Sequence, residues 1–335
     1  MEKFNKHIRA WCVTDGSAGM NSQVRGLAEA LNVNYELKTI NLRFPWNILP
    51  VGIFPIYPII FKDFNRISHS NAPNILITCG RQSVYFSLYL KRKLGDKIFN
   101  IHIQNPRVNL NEFDLIIAPA HDNLKNSNVI STDLAINHIN SKIIKTNVQL
   151  FKQNFSNIDM PICCTLIGGK SRNYIFDTNA LENLIAKLKS LQSNNKIKLI
   201  ILSSRRTDQF IIDHLDREFG ESHIHWNKDN NPYIALLGLS KFIICTSDSV
   251  SMISEAIYSE KSVFIYRLKS SKKNNRIENF INSVLEKGFI KLIPNLIEEF
   301  NHNYFCKELS LQFLYQEYKN QYPNFHSHHI YLQII

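Results

Sequence analysis

Short apolar runs alternate along this chain with polar stretches whose apolar residues recur at helical spacing. Residues 8–14, 35–40, 75–79, 98–103 and 115–118 are runs of strand length, with helical periods at 23–31 and 82–94. Continuous apolar strands separated by helices predict a parallel sheet covered on both faces. The stretch 140–159 is polar, Asn-rich and without a period, and is read as the junction between domains. A second alternation follows, with strands at 162–167, 197–202, 224–226, 242–245 and 263–266. Its helices are expected at 179–191, 209–219, 232–239, 250–258 and 274–285. The pattern predicts an α/β protein of two doubly wound Rossmann-like domains facing a cleft, 1–150 and 151–300. The tail 301–335, with a helix at 307–318, is expected to return to the first domain.

Composition changes this picture little. With 335 residues, 44% hydrophobic and 20% charged, the chain is folded and long enough for two cores. The net charge of +11 suits an anionic partner, but the lysines are scattered, which argues against nucleic acid. Six cysteines include no Cys-x-x-Cys pair, and five lie in apolar runs, so neither a metal site nor a disulfide framework is expected. A cytoplasmic setting follows. The N-terminal run is too short for a signal peptide, and no stretch spans a membrane as an uninterrupted apolar helix.

Segment 42–61 is unlike the rest. It crowds Phe44, Trp46, Ile48, Ile53, Phe54, Tyr57 and Ile59 among four prolines, with Arg43 and Lys62 at its ends. It is read either as an apolar lip for an anionic membrane surface, the inner face of the plasma membrane, or as a long loop packed on its own domain.

Polar clusters fall where the strands end. Thr246, Ser247, Asp248, Ser249 and Ser251 open the helix 250–258, and Glu255 lies one turn on. Hydroxyls and free N–H groups at a helix start attract an anion, and a carboxylate nearby can accept from ribose hydroxyls. Gly168, Gly169, Lys170 and Ser171 form a second loop of phosphate-cradle composition, and Ser204, Arg205 and Arg206 offer a guanidinium grip on diphosphate. Asn231 stands in a turn that could cap a nucleobase. In the first domain, Gly16, Gly19 and Gln23 follow the first strand, with Asp15 a candidate general base and Arg81, Arg107 and His121 on the facing wall. An ordinary turn aspartate and a structural histidine are the competing readings.

The runs Trp11–Leu31, Gly80–Ser83, Gln104–Arg107, Phe113–Asp122, Ile167–Gly169, Ser204–Thr207, Asn231–Tyr233 and Thr246–Ala256 together resemble the bacterial branch of the elongated-mitochondria (mitochondrial fission) protein family. That family is similar to GT-B glycosyltransferases, above all to the branch that adds N-acetylglucosamine to a membrane lipid. The resemblance implies a metal-independent transfer from a uridine diphosphate type sugar donor, with no cofactor. It implies that Gly168, Gly169 and Ser249 hold the diphosphate and Glu255 the ribose. The alternative is a catalytically silent scaffold that binds a protein or membrane partner.

Overall fold

The computed structural model describes residues 8–62, 72–227, 229–273 and 275–293. They form two compact units that part between His138 and Ile139. The first holds β1 (Arg9–Thr14), α1 (Ala18–Ala30), β2 (Asn34–Thr39), β3 (Ile75–Cys79), α2 (Arg81–Leu94), β4 (Phe99–Ile103), β5 (Leu115–Pro119) and β6 (Val129–Thr132). All six strands are parallel, in the order β2-β1-β3-β4-β5-β6.

Period-two alternation sorts the apolar run of β1 onto two faces. Ala10 and Cys12 pack with Val24 and Ala28 of α1, whereas Trp11 and Val13 pack with Tyr85, Phe86 and Leu90 of α2. In β3, Ile75 and Ile77 join the first layer and Leu76 the second. Every residue of β3 is buried, which is why its sequence reads as continuous rather than alternating.

The second unit holds α3 (Ser141–Leu150), β7 (Ile162–Ile167), β8 (Tyr174–Ile175), α4 (Thr178–Asn194), β9 (Lys198–Ser203), α5 (Gln209–Phe219) and β10 (His223–Ile224). It continues with α6 (Tyr233–Leu239), β11 (Ser240–Thr246), α7 (Val250–Tyr258), β12 (Ser262–Tyr266), β13 (Lys269–Ser270), α8 (Arg276–Glu286) and β14 (Lys291–Leu292). Its main sheet is again parallel, in the order β10-β9-β7-β11-β12-β14, with β8 and β13 paired antiparallel beside it. The second helix of the unit shows how its sequence forms it. Asp177 caps α4 by accepting from the Ala180 N–H at 3.0 Å, and Leu181, Leu184, Leu188 and Leu191 bury one stripe.

Renumbered within its unit, the second sheet runs 3-2-1-4-5-6, the dinucleotide-binding strand order, and the first runs 2-1-3-4-5-6. The order reverses between β1 and β3 in the first unit and between β7 and β11 in the second. A crevice for ligand opens at the carboxyl ends of the strands at such points.

Five elements go beyond the sequence reading, among them the short pair β8 and β13. The stretch at 140–159 contains α3, which Asn140 caps through the Ile143 N–H at 2.9 Å. None of its ten residues is fully buried, and its apolar positions stand among the polar, Asn-rich residues of the stretch. Ile144 and Val148 instead fill the space beside Gly238 of α6, which places α3 with the second unit. Strands β6 and β14 also escaped, since neither buries a single residue fully. The expected tail and its helix at 307–318 lie outside the described residues.

Candidate functional site

At the switch point of the second unit, three loops are bonded into one structure. Asp248, after β11, is buried, and its Oδ2 accepts from the Gly169 N–H at 3.0 Å. Its Oδ1 accepts from the Thr246 hydroxyl at 2.6 Å, and Thr246 Oγ1 in turn accepts from the Gly168 N–H at 2.8 Å. Both glycines are required by space. A Cβ on Gly168 would stand 2.0 Å from Asp248 Oδ2, and one on Gly169 would stand 2.0 Å from the Arg206 carbonyl oxygen. The third loop closes on the first two: Ser204 Oγ and Thr207 Oγ1 both donate to the Gly168 carbonyl, at 3.0 and 2.5 Å. The Lys170 N–H donates to the Arg206 carbonyl at 2.9 Å.

This bonding changes the chemistry expected of the glycine loop. The N–H groups of Gly168, Gly169 and Lys170 already have acceptors within the protein, so the loop presents an incomplete cradle to a phosphate. The cationic side chains of Lys170, Arg205 and Arg206 are exposed at the same strand ends. One Arg206 nitrogen lies 4.0 Å from Asp248 Oδ2. Burial pushes the Asp248 carboxyl upward, against the pull of its bonds to Thr246 and Gly169 and of the Arg206 charge.

Helix α7 begins beside this knot. Ser249 Oγ accepts from the Met252 N–H at 3.4 Å, a long cap on a helix whose first-turn N–H groups have no partner within the helix. One turn on, Glu255 is buried and its Oε2 accepts from the Tyr233 hydroxyl at 2.7 Å. Burial, with the Glu255 charge beside it, holds the Tyr233 phenol well above its ordinary value, so it stays a donor. Asn231 shapes the turn that aims Tyr233, accepting from its N–H at 3.0 Å. Ser171 likewise holds its own loop, accepting from the Asn173 N–H at 3.2 Å.

The first unit gathers its candidates along the carboxyl edge of its sheet. Asp15 follows β1 and accepts from the Ser17 N–H at 3.0 Å, a turn bond that leaves its Oδ2 available. Gly16 adopts φ of 87°, and its N–H donates to Thr14 Oγ1 at 2.9 Å. Gly19 lies in the first turn of α1. Gln23 is buried and accepts from Cys79 Sγ at 3.7 Å and from Gln104 Nε2 at 3.4 Å. Gln104 and Arg107, in the turn after β4, hold φ of 85° and 58°, a left-handed backbone that side-chain-bearing residues seldom adopt. Arg107 is exposed there, and His121 follows β5 in a single 3₁₀ turn.

Arg81 is employed differently from the acceptor-side role expected of it. Its guanidinium donates to the carbonyls of Trp46 at 3.1 Å, Leu49 at 2.5 Å, and Asn47. It locks segment 42–61, whose ends are pinned by Leu42 and Phe61 in the core. Asp15 and His121, the two alternative bases, follow different strands. Three inter-strand steps separate β1 from β5, roughly 14 Å along the edge at the usual strand spacing.

A family model described as "Mitochondrial fission ELM1" matches residues 18–308. The chain belongs to that family. A relative in Rickettsia prowazekii (strain Madrid E), called uncharacterized protein RP120, is 27% identical over 88% of this chain and 94% of its own length. Mitochondrial fission protein ELM1 of Arabidopsis thaliana is 24% identical over 66% of this chain and 57% of its own length. Among solved structures, the UDP-GlcNAc 2-epimerase of Methanocaldococcus jannaschii, in complex with UDP-GlcNAc and UDP, superposes with a TM-score of 0.51 at 12% identity. That match covers 90% of this chain and 94% of the epimerase, and shows that this ELM1-family chain has the two-domain doubly wound fold of the GT-B type.

Within this member of the ELM1 family, Thr246, Thr207 and Tyr233 carry bonds that the site reading had not assigned. A signal for Thr246 is present in the chain, since a hydroxyl ending a strand two residues before an aspartate can cap the neighbouring loop. Tyr233 pairs with Glu255 across 22 positions, and no local pattern announces that. The five described cysteines are free and buried, and burial pushes the Cys12 and Cys163 thiols up to about 12. They are inert core residues.

Proposed function

We propose that the second unit binds a nucleotide sugar of the uridine diphosphate type and that the protein transfers the sugar to an acceptor held by the first unit. The observation that carries this reading is the placement of the bonded knot of Gly168–Gly169, Ser204–Thr207 and Asp248–Ser249 at the point where the strand order reverses. The diphosphate would rest on the first turn of α7 with Ser249, and on Arg205, Arg206 and Lys170, which supply positive charge where the leaving group develops. Glu255, oriented by Tyr233, would accept from the ribose. Asp15 or His121 would take the acceptor proton, one of them alone given their separation. The UDP and UDP-GlcNAc bound by the epimerase of the same fold support the ligand class. A basic grip on the diphosphate serves transfer and epimerisation alike, and transfer is the reading that the resemblance to GT-B glycosyltransferases implies.

The acceptor side includes a membrane surface in this proposal. Phe44, Ile48, Ile53, Tyr57 and Ile59 are each more than half exposed on segment 42–61, the largest such group among the described residues. Arg43 and Lys62 flank them, each worth on the order of 1 kcal/mol near an anionic bilayer. No helix among the described residues is long and apolar enough to cross a membrane. Trp46 is not part of this exposed set, since it packs toward the core and its Nε1 donates to the Pro55 carbonyl at 3.2 Å.

A second reading has its own observation. The glycine loop donates inward to Thr246 and Asp248, as a retired phosphate loop in a scaffold would. Calorimetry with uridine, guanosine and adenosine diphosphates separates the two. Binding of a uridine nucleotide that is lost in Arg206→Ala supports the enzyme reading. A folded protein that takes up none of them supports the scaffold. Flotation with anionic liposomes tests the surface: Phe44→Ser/Ile48→Ser/Ile59→Ser should stay in the pellet while the native chain floats. If the native chain does not float, the membrane reading fails.

A further inference from the structure

The edge strand of the second sheet carries a cluster that none of the preceding argument uses. His223 opens β10, and His225 follows two residues later, so both imidazoles stand on one side of the strand. Their ring centroids are 4.8 Å apart. Asp216 projects from the last turns of α5, a helix anchored by Ile211 and Leu215. Asp216 Oδ1 lies 2.8 Å from His223 Nδ1 and 2.8 Å from His225 Nε2. One carboxylate oxygen and two imidazole nitrogens therefore gather within 4.8 Å of one another.

We propose that Asp216, His223 and His225 form a binding site for a divalent transition metal of the zinc class. Two imidazole nitrogens and one carboxylate oxygen are the donor set such ions favour over magnesium or calcium. A tetrahedral ion with bonds of about 2.1 Å keeps its ligand atoms about 3.4 Å apart. The present separations bracket that spacing, so a small rearrangement admits the ion. The members with room to turn are Asp216 and His225, whose side chains are 42% and 56% exposed, whereas that of His223 is fully buried. The exposed side leaves a fourth position to water. One carboxylate with two neutral imidazoles also offsets half the charge of the ion.

One feature opposes tight binding. Ligation through Nδ1 puts the His223 proton on Nε2, which is buried without a hydrogen-bond partner. Metal-bound imidazoles ordinarily donate that second N–H to an oxygen. The affinity expected is therefore on the order of micromolar rather than nanomolar. The bound ion would staple α5 to the edge strand, which otherwise pairs only through two residues with β9. This site is independent of the nucleotide reading and revises the expectation, drawn from cysteine usage, that the protein holds no metal.

The test uses the full chain with zinc and, for its visible spectrum, cobalt. Calorimetry should find one zinc ion per chain, cobalt should give the absorption of a four-coordinate site, and the melting temperature should rise with zinc. His225→Ala, at an exposed position, and Asp216→Asn should each weaken zinc by about tenfold or more and abolish the cobalt bands. The chain also carries His302, His326, His328 and His329 near its C-terminus. Zinc binding that survives both variants unchanged would assign the ion to those residues and overturn the proposal. So would the absence of zinc binding to the native chain up to millimolar metal.

Discussion

A methyl group on Gly168 tests the bonded knot directly. The backbone there needs no left-handed φ, so Gly168→Ala acts through space alone, with the new Cβ 2.0 Å from Asp248 Oδ2 and 2.2 Å from Oδ1. The carboxylate has to swing away, breaking its bonds from the Gly169 N–H and the Thr246 hydroxyl. Hydrogen bonds to a charged group contribute about 1.5–3 kcal/mol each. The displaced carboxylate regains part of this from solvent and from Arg206, whose nearest nitrogen already lies 4.0 Å away. A net loss of about 3 kcal/mol is expected, or about 6–12 °C in Tm at the entropy of a unit this size.

The decisive measurement is the double variant. Asp248→Ala alone leaves the Gly169 N–H and the Thr246 hydroxyl without their acceptor and also destabilises. In Gly168→Ala/Asp248→Ala the methyl group meets an empty space, so the second substitution costs far less than it does alone. Urea unfolding of all four proteins should give a coupling of at least about 1 kcal/mol, well outside the additivity of independent sites. Additive losses, or a Gly168→Ala protein within about 1 kcal/mol of the native one, would refute the claim that Asp248 fills the place of a side chain at Gly168.

Three further outcomes follow from the same geometry. Asp248→Asn should gain on the native protein as pH rises. Burial puts the folded Asp248 pKa above its unfolded value near 3.9, so the penalty of ionising it is absent below that pH and complete above the folded value; parallel stability profiles from pH 4 to 7 would contradict this. His102 is buried against Thr78 Oγ1 at 2.8 Å, and burial lowers its pKa to about 3. The native protein should therefore lose about 1.4 kcal/mol per pH unit from about 6.5 down toward 3, relative to His102→Gln, with no difference in slope above 6.5. Arg81→Lys keeps the charge but not the fork that meets three carbonyls, so it should cost about 2 kcal/mol and speed proteolysis within 42–61; cleavage at the native rate would mean that other contacts hold the segment.

The central strands of both sheets were legible because their burial is nearly complete, and a run such as Ile75–Cys79 has no solvent face to interrupt it. What escaped is half-exposed: β6 and α3 bury no residue fully. For α3 the informative residue lay elsewhere, since Gly238 makes room for Ile144 and Val148 nearly a hundred positions away. The candidate site divides in the same way. Strand ends rich in glycine, serine and arginine fall on one edge of their sheet, because topology sends every such end of a parallel sheet to one side. Which donors remain free is a tertiary property. Composition makes Arg81 look like an anion ligand, yet three backbone carbonyls take three of its five donors.

The same reasoning decides how the enzyme and scaffold readings differ in substance. A glycine loop serves a diphosphate when its N–H groups point at empty space, and here they point at Thr246 and Asp248. The carboxylate therefore stands where a ligand phosphate would compete for the Gly169 N–H. A diphosphate that binds with Asp248 in place must rely on the start of α7 and on Arg205 and Arg206, which makes its affinity dependent on ionic strength. A diphosphate that displaces Asp248 would free it toward Arg206 and gain the glycine donors. Asp248→Ala separates these routes: nucleotide affinity falls or holds in the first case and rises in the second. In the scaffold reading the substitution changes stability alone.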